Sequence, residues 1–211
     1  MDTTYFGSGF GLMLFKDAYT KENLLKYYVK NETNALYEKG INELVSQGFK
    51  VKAIVCDGRK GLIQRFENIP VQMCQFHQAA IIRRYITKNP KLPASIELKE
   101  LVSVLKQTDK ESFTGGLEQW HTKWEGFLKE RTVNEQTGKS HYTHKKIRSA
   151  YRSLKTNLPW LFTWYDYIEC NIPNTTNAID GHFSDLKNKL RNHNGLSVER
   201  KKKFIDGFLK A

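Results

Sequence analysis

The sequence predicts a mixed α/β domain interrupted by an all-helical insertion. Residues 1–92 alternate short apolar runs, which are typical of strands, with segments of helical periodicity. Residues 93–170 show helical periodicity throughout, and residues 171–211 contain two further amphipathic helices. We therefore expect residues 1–92 to form the first part of the core and residues 171–211 to complete it, with the insertion between them.

The first part of the core is predicted to contain three adjacent strands, a helix and a fourth strand. The strands are expected at residues 2–6, 10–15, 24–29 and 51–56. The segment Gly7-Ser8-Gly9 offers a hairpin turn, and Asn31 is expected to cap a helix that Gly48 ends. Because that helix precedes the fourth strand, this strand can lie parallel to the first one.

The rest of the chain is predicted to be mostly helical. After a short helix near residues 62–66, we expect a strand at 71–74 and a helix at 75–87. In the insertion, a polar stretch at residues 131–143 separates two apolar helix faces from a basic helix and an aromatic-rich segment. A break at 171–173 precedes a helix that residues 174–176 can cap, and Ser197 begins the last helix.

Composition indicates a polyanionic partner. The chain has 34 Lys+Arg against 22 Asp+Glu, a formal charge of +12 and a pI near 9.5, which favours nucleic acid. A membrane protein is not expected, because no apolar run approaches the roughly 20 residues of a spanning helix and the sequence shows no leader. Three widely spaced cysteines argue against a disulfide framework. We therefore expect a cytoplasmic protein.

Three acids are candidates for a common site. Asp57 directly follows a buried strand, where open α/β sheets place their sites. If the first and fourth strands are neighbours, Asp2 lies beside Asp57, and a helix across them can add Asp180. Converging carboxylates repel one another unless a cation binds, and hard oxygen ligands suit Mg²⁺ or Mn²⁺. Taken singly, each acid is better explained as a strand-end, turn or solvated helix residue.

Basic side chains could hold a phosphate backbone, which would add affinity without sequence choice. The candidates are Lys145, Lys146, Arg148, Arg152, Lys187, Arg191, Lys201, Lys202 and Lys203. A solvated charge run is the alternative interpretation. On the helix after the insertion, Asp180 shares one stripe with Lys187 and Arg191, so the acid and the two cations are expected on the same surface.

Three motifs carry a resemblance to a known family. They are DTTYFGSGFGLMLFKD at residues 2–17, CDGRKGL with VQMCQFHQ within residues 56–78, and NTTNAIDGHFSDLKNKLRNHNGLSVERKKKF at residues 174–204. Together they resemble bacterial insertion-sequence DDE transposases of the IS256/Mutator (MULE)-like group, over most of the chain. The resemblance implies a ribonuclease-H-like mixed sheet with helices on both faces. It also implies a triad, here Asp2, Asp57 and Asp180, that binds two Mg²⁺ or Mn²⁺ ions.

The resemblance also bears on single residues. The family usually has Glu at the third acidic position, where this chain has Asp180; Glu169 and Asp185 lie nearby but match the motif less well. The Cys74-x-x-His77 pair recurs in the family, which implies a place for His77 near the active site, contacting DNA or orienting a carboxylate. An ordinary histidine at the start of a helix is the alternative. A closed zinc site is not expected from two ligands.

The function implied is metal-dependent cleavage of a transposon end, followed by attack of the freed 3′ hydroxyl on target DNA. The implied partners are double-stranded DNA, both transposon ends and target, and a second copy of the chain on that DNA, without a small-molecule cofactor. Two alternatives remain open. One is a truncated, inactive DNA-binding remnant, since family members normally carry further segments before the first strand. The other is a metal-dependent nuclease without strand transfer.

Overall fold

The computed structural model describes residues 1–7, 9–193 and 195–210, and the chain divides into two compact units. The sheet unit comprises Met1–Val71 and Thr176–Ala211, and the helical unit comprises Gln72–Thr175. Both strands and helices are present, so the predicted mixed α/β class is confirmed. The predicted division at residues 92 and 170 stays a prediction. Within the described residues, no helix is long and apolar enough to cross a membrane.

The sheet unit is built on a three-stranded antiparallel sheet. It consists of β1 (Asp2–Phe6), β2 (Phe10–Lys16) and β3 (Asn23–Val29), with β2 in the centre. In the register, Asp2 lies opposite Leu14 and Thr3 lies opposite Met13. Of the predicted turn between β1 and β2, Ser8 lies outside the described residues, while Gly7 has a φ of +65° that suits glycine.

Helix α1 (Asn34–Ser46) packs on one face of this sheet. Its cap is Thr33 rather than the predicted Asn31, because the Thr33 backbone is extended and its hydroxyl accepts a hydrogen bond from the Leu36 N–H. Gly40 allows α1 to approach the sheet closely, since a Cβ at this position would overlap the Phe15 ring. Along β2, side chains that contact α1 alternate with side chains that face the opposite side of the sheet.

The opposite face of the sheet is covered by α7 (Asn177–Arg191) and α8 (Val198–Lys210). Apolar side chains from β2 and these two helices form one buried core: Phe10, Leu12, Leu14, Ile179, Phe183, Leu186 and Ile205. At the edge of the sheet, Asp206 forms an ion pair with Lys26 and accepts a hydrogen bond from the Tyr28 hydroxyl. Helices thus lie on both faces of the sheet.

The fourth strand does not extend the first sheet. The predicted strand at 51–56 is reduced to β4 (Ile54–Cys56), which forms a separate two-stranded sheet with β5 (Val71–Met73). A hydrogen bond from the Met1 amino group to the Val55 carbonyl, at 2.9 Å, connects the start of β1 to β4. Within the described residues, the fourth strand is therefore not paired with the first in one sheet as expected, and the ribonuclease-H-like mixed sheet stays a prediction.

The helical unit consists mainly of four helices. They are α2 (Gln75–Ile86), α3 (Pro93–Ser103), α4 (Lys110–Lys129) and α5 (Lys145–Leu161), followed by the single turn α6 (Thr163–Asp166). Helix α2 packs against α3 and α5, and α3 packs against α4. Trp120 is buried and its indole N–H donates to the Ala94 carbonyl at 2.9 Å, so it belongs to the core of the helical unit.

A β-hairpin interrupts the helices where only a polar stretch was expected. Strands β6 (Arg131–Val133) and β7 (Ser140–Tyr142) pair in antiparallel fashion, so the prediction of an all-helical insertion is wrong. The hairpin is largely exposed and polar, and it therefore lacks the alternation of apolar residues that reveals a half-buried strand. At its base, the Tyr142 ring contacts the guanidinium groups of Arg131 and Arg148, at 4.6 and 3.6 Å from the ring centre.

Candidate carboxylate site

Asp2 lies at the start of β1 and faces the side of the sheet that α7 covers. It is opposite Leu14, and residues directly opposite each other in an antiparallel pair share one face. Leu14 packs against α7 in the buried core. The half-buried Asp2 carboxylate accepts a hydrogen bond from the Thr3 N–H at 2.8 Å, which orients one of its oxygens.

Asp57 immediately follows β4 and is also half-buried. The Arg59 N–H donates to the Asp57 carbonyl at 2.8 Å and is 3.3 Å from its Oδ1. The chain therefore turns tightly after Asp57, and the turn itself restrains the carboxylate. Because the Met1 amino group bonds to the Val55 carbonyl, the start of β1 and the end of β4 lie together, each with its acid.

Asp180 lies in the first turn of α7, near the N-terminus of the helix. Its Oδ2 accepts a hydrogen bond from the Thr176 hydroxyl at 2.9 Å. A carboxylate oxygen of Asp180 and one of Asp2 lie within 4.8 Å of each other. In the sheet unit, Asp2 and Asp180 thus lie close together, and Asp57 follows the strand whose Val55 carbonyl binds the Met1 amino group.

The electrostatics of Asp2 reflect this convergence. Burial raises the pKa of the Asp2 carboxyl to about 6, against the opposing effect of the Thr3 N–H. The neighbouring Asp57 carboxylate raises this pKa further, as does Asp180 to a smaller extent, whereas the Met1 amino group lowers it. Asp2 therefore feels the charge of both other acids, and its ionised form is disfavoured in the absence of a cation.

The donor set fits a hard divalent cation. The three side chains offer only carboxylate oxygens, the ligands that Mg²⁺ and Mn²⁺ prefer. Burial is the main cause of the raised pKa of Asp2, and a cation among the acids would offset the additional repulsion from Asp57 and Asp180. The residues present are therefore compatible with a divalent metal site.

Two further residues of the predicted site lie in the helical unit. His77 is the third residue of α2, half-buried, with its ring in edge contact with Phe76 at 5.8 Å. Cys74 directly precedes α2 and is fully buried. The assignment of His77 to the active site stays a prediction.

The predicted DNA contacts fall into two groups. On α5, which contains no Asp or Glu, Lys145, Lys146 and Arg152 are exposed. Arg148 differs from them, because it packs on Tyr142 and donates to the Leu128 carbonyl at 2.5 Å. Its guanidinium group thus has a structural role at the base of the hairpin.

The second group lies on α7 and α8. Arg191 and Lys203 are exposed, and Lys187 and Lys201 are half-buried. The Lys202 ammonium lies 5.4 Å from the centre of the Phe10 ring and 5.1 Å from that of Tyr28. We therefore expect Lys202 to contribute to packing as well as to the surface charge.

The sequence did not point to the residues that support the site from the α1 side of the sheet. Glu32, in the loop before α1, accepts a hydrogen bond from the Tyr37 hydroxyl and forms an ion pair with Arg59. These residues are distant in sequence and follow no motif. The sequence feature that came nearest to indicating these residues was the position of Arg59, two residues after Asp57.

Comparison with known proteins identifies the family. A search of curated proteins found no match. A family model described as transposase, Mutator family, matches residues 20–181. This span includes Asp57 and Asp180, whereas Asp2 precedes it. Because the match extends over more than half of the 211 residues, the chain belongs to the Mutator family of transposases.

Proposed function

We propose that the chain is the catalytic domain of a DDE transposase that cleaves and joins DNA strands with two divalent metal ions. The observation that supports this proposal is the proximity of Asp2 and Asp180, whose oxygens lie within 4.8 Å, beside the strand end that carries Asp57. The dependence of the Asp2 pKa on both other acids agrees with it. We further propose that the sheet and its helices represent a ribonuclease-H-like core.

In this proposal the three carboxylates hold Mg²⁺ or Mn²⁺. The bound ions would activate the attacking oxygen and stabilise the leaving 3′ oxygen of a phosphodiester. The chain's own groups orient the ligands: the Thr3 N–H bonds to Asp2, the turn at Arg59 restrains Asp57, and the Thr176 hydroxyl bonds to Asp180. Such supporting bonds hold metal ligands in a defined geometry.

Asp180 is proposed as the third ligand although the family usually has Glu there. Its hydrogen bond from the Thr176 hydroxyl, one turn earlier on the chain, holds the shorter side chain close to the helix. Asp185, on the same helix, instead forms an exposed ion pair with Lys189 at 3.1 Å. Asp185 therefore offers a matched control for a charge change on α7.

The DNA-binding surface is proposed to include α5 and the β6–β7 hairpin. Helix α5 carries exposed cations and no acid of its own, which favours the approach of duplex DNA. The neighbouring hairpin is exposed and carries Lys139, and a two-stranded ribbon fits the major groove of B-DNA. We propose that the complex on transposon ends and target DNA is a homodimer, to be tested by measuring its mass on DNA.

The test is strand cleavage and joining on labelled duplexes that carry the ends of the chain's own element. Reactions with Mg²⁺ or Mn²⁺ compare the wild type with Asp57→Asn, Asp180→Asn and the control Asp185→Asn. We expect joined product from the wild type and the control, and none from the two ligand variants, because each lacks a charged metal ligand.

The outcomes separate the alternatives. Cleavage without joined product would indicate a nuclease. Salt-sensitive DNA binding without cleavage by the wild type would indicate an inactive remnant. Full activity of Asp180→Asn would show that another acid is the third ligand.

A further inference from the structure

A network of hydrogen bonds lies behind the carboxylate site, on the side of the sheet that α1 covers. Side chains of β1 alternate between the two faces, so Thr3 faces α1 while Asp2 faces α7. The Thr3 hydroxyl lies 2.8 Å from the Tyr37 hydroxyl, which donates to Glu32 Oε1 at 2.7 Å. The Glu32 N–H also donates to the Tyr5 hydroxyl at 2.7 Å. The loop before α1 is thus attached to β1.

The direction of these hydrogen bonds follows from the number of protons. Tyr37 has a single hydroxyl proton, which it donates to the Glu32 carboxylate. The Tyr37 oxygen must therefore accept the proton of the Thr3 hydroxyl. Tyr37 is only 1% exposed, and burial raises the pKa of its hydroxyl well above the usual range. The Tyr37 hydroxyl accordingly stays protonated. Thr3 therefore donates to Tyr37, and Tyr37 donates to Glu32.

The other end of the network reaches the turn after Asp57. Glu32 Oε2 forms an ion pair with Arg59 Nη1 at 3.2 Å, and the Glu32 carbonyl accepts from Arg59 Nη2 at 2.9 Å. Arg59 Nε donates to Asn34 Oδ1 at 2.8 Å, and Asn34 Nδ2 donates to the Lys60 carbonyl at 3.0 Å. All three nitrogens of the guanidinium group therefore have partners in or beside the loop before α1.

We propose that Glu32 is a positioning residue that sets the spacing between Asp2 and Asp57. One of its carboxylate oxygens is connected through Tyr37 to Thr3, the neighbour of Asp2, and the other binds Arg59, two residues after Asp57. We call Thr3, Tyr37, Glu32 and Arg59 the Glu32 network. This inference rests on the proposed function, since it assigns Glu32 to the same metal site.

The Glu32 network also keeps a cation away from the metal ligands. Arg59 is close enough in sequence for its guanidinium group to pair with Asp57, where it would compete with a divalent ion. Glu32 and Asn34 instead hold the guanidinium group of Arg59 beside the start of α1. Neutralising Glu32 would release this restraint and weaken metal binding, even though the residue touches no metal ligand.

The first experiment measures Mn²⁺ binding through the rise in melting temperature with Mn²⁺ concentration. It compares the wild type with Glu32→Gln, Tyr37→Phe and the control Glu38→Gln. The control removes the same charge from an α1 ion pair, that of Glu38 with Arg65 at 2.5 Å, which lies outside the Glu32 network. We expect the half-saturating Mn²⁺ concentration to rise about tenfold in the first two variants and to stay unchanged in the control.

The second experiment does not depend on metal. Tyr37→Phe and Arg59→Lys are combined in a double-mutant cycle, with stability measured by urea unfolding in the presence of a chelator. Because Glu32 joins the two residues, we expect the double variant to be destabilised by less than the sum of the two single effects. Additive effects would overturn the proposed connection.

The two experiments distinguish failure of this inference from failure of the proposed function. Wild-type and Glu32→Gln chains that bind Mn²⁺ equally would overturn the positioning role and leave the metal site intact. A wild type without any Mn²⁺-dependent rise in melting temperature would overturn the metal site itself, and the positioning role with it. A raised half-saturating concentration together with a non-additive cycle is the result that the proposal requires.

Discussion

Replacing Asp2 with Asn is expected to stabilise the metal-free chain at neutral pH. Burial raises the pKa of Asp2 to about 6 from an ordinary value of 3.8, so the folded chain binds this proton more tightly than the unfolded chain does. The contribution of Asp2 to stability is therefore fully present below pH 3.8, is lost as the pH rises to about 6, and stays constant above that. Asn cannot ionise, and its Oδ1 can still accept the hydrogen bond from the Thr3 N–H.

The magnitude follows from the same values. The difference between 6 and 3.8 corresponds to about 3 kcal/mol at roughly 1.4 kcal/mol per pH unit. We expect Asp2→Asn to gain up to this amount above about pH 7 and little near pH 4. The gain results from removing a carboxylate that is buried and repelled by Asp57 and Asp180.

The assay is urea unfolding of the wild type and Asp2→Asn at about pH 4 and at about pH 7. Each protein is measured first with a chelator and then with Mn²⁺. Mn²⁺ should stabilise the wild type more than the variant, because the variant lacks a ligand. Asp185→Asn serves as the control, since its exposed ion pair contributes little. The reasoning is refuted if Asp2→Asn is no more stable than the wild type at neutral pH, or if its gain is the same at both pH values.

Two further predictions concern the DNA surface and the packing of the sheet. Lys145→Ala combined with Lys146→Ala should weaken duplex binding and lessen the slope of log affinity against log salt by about 0.9 for each phosphate that the variant no longer neutralises. Fluorescence anisotropy over a salt series would measure this, and an unchanged slope would contradict the proposed role of these lysines. Gly40→Ala should destabilise the chain by about 1–3 kcal/mol in urea unfolding, because the added methyl overlaps the Phe15 ring. Unchanged stability would show that α1 can move away from the sheet without cost.

The elements predicted from the sequence were those with strong periodicity. The strands of the first sheet and the helices α2 and α7 were located closely, because burial on one side imposes a regular spacing of apolar residues. The β6–β7 hairpin was missed because neither strand buries a face. The cap of α1 was misplaced by two residues, since Asn31 and Thr33 are both good capping residues and only the backbone conformation selects Thr33.

The candidate site was predictable in part for a similar reason. Asp57 was visible from its place after an apolar strand, and Asp180 from the motif around it. Glu32, Tyr37 and Arg59 were not visible, because hydrogen-bond partners far apart in sequence leave no local pattern. Their connection became apparent only from the distances between them.

The sequence by itself determined the α/β class, the positions of most strands and helices, the excess of positive charge and the family resemblance. These properties depend on residue type and on spacing within a short segment, where the backbone geometry is known in advance. The tertiary structure decided which acids meet, that β4 pairs apart from the first sheet, and that the pKa of Asp2 is raised. Each of these depends on distances between segments that are far apart in the chain, and burial and Coulomb interactions act through those distances.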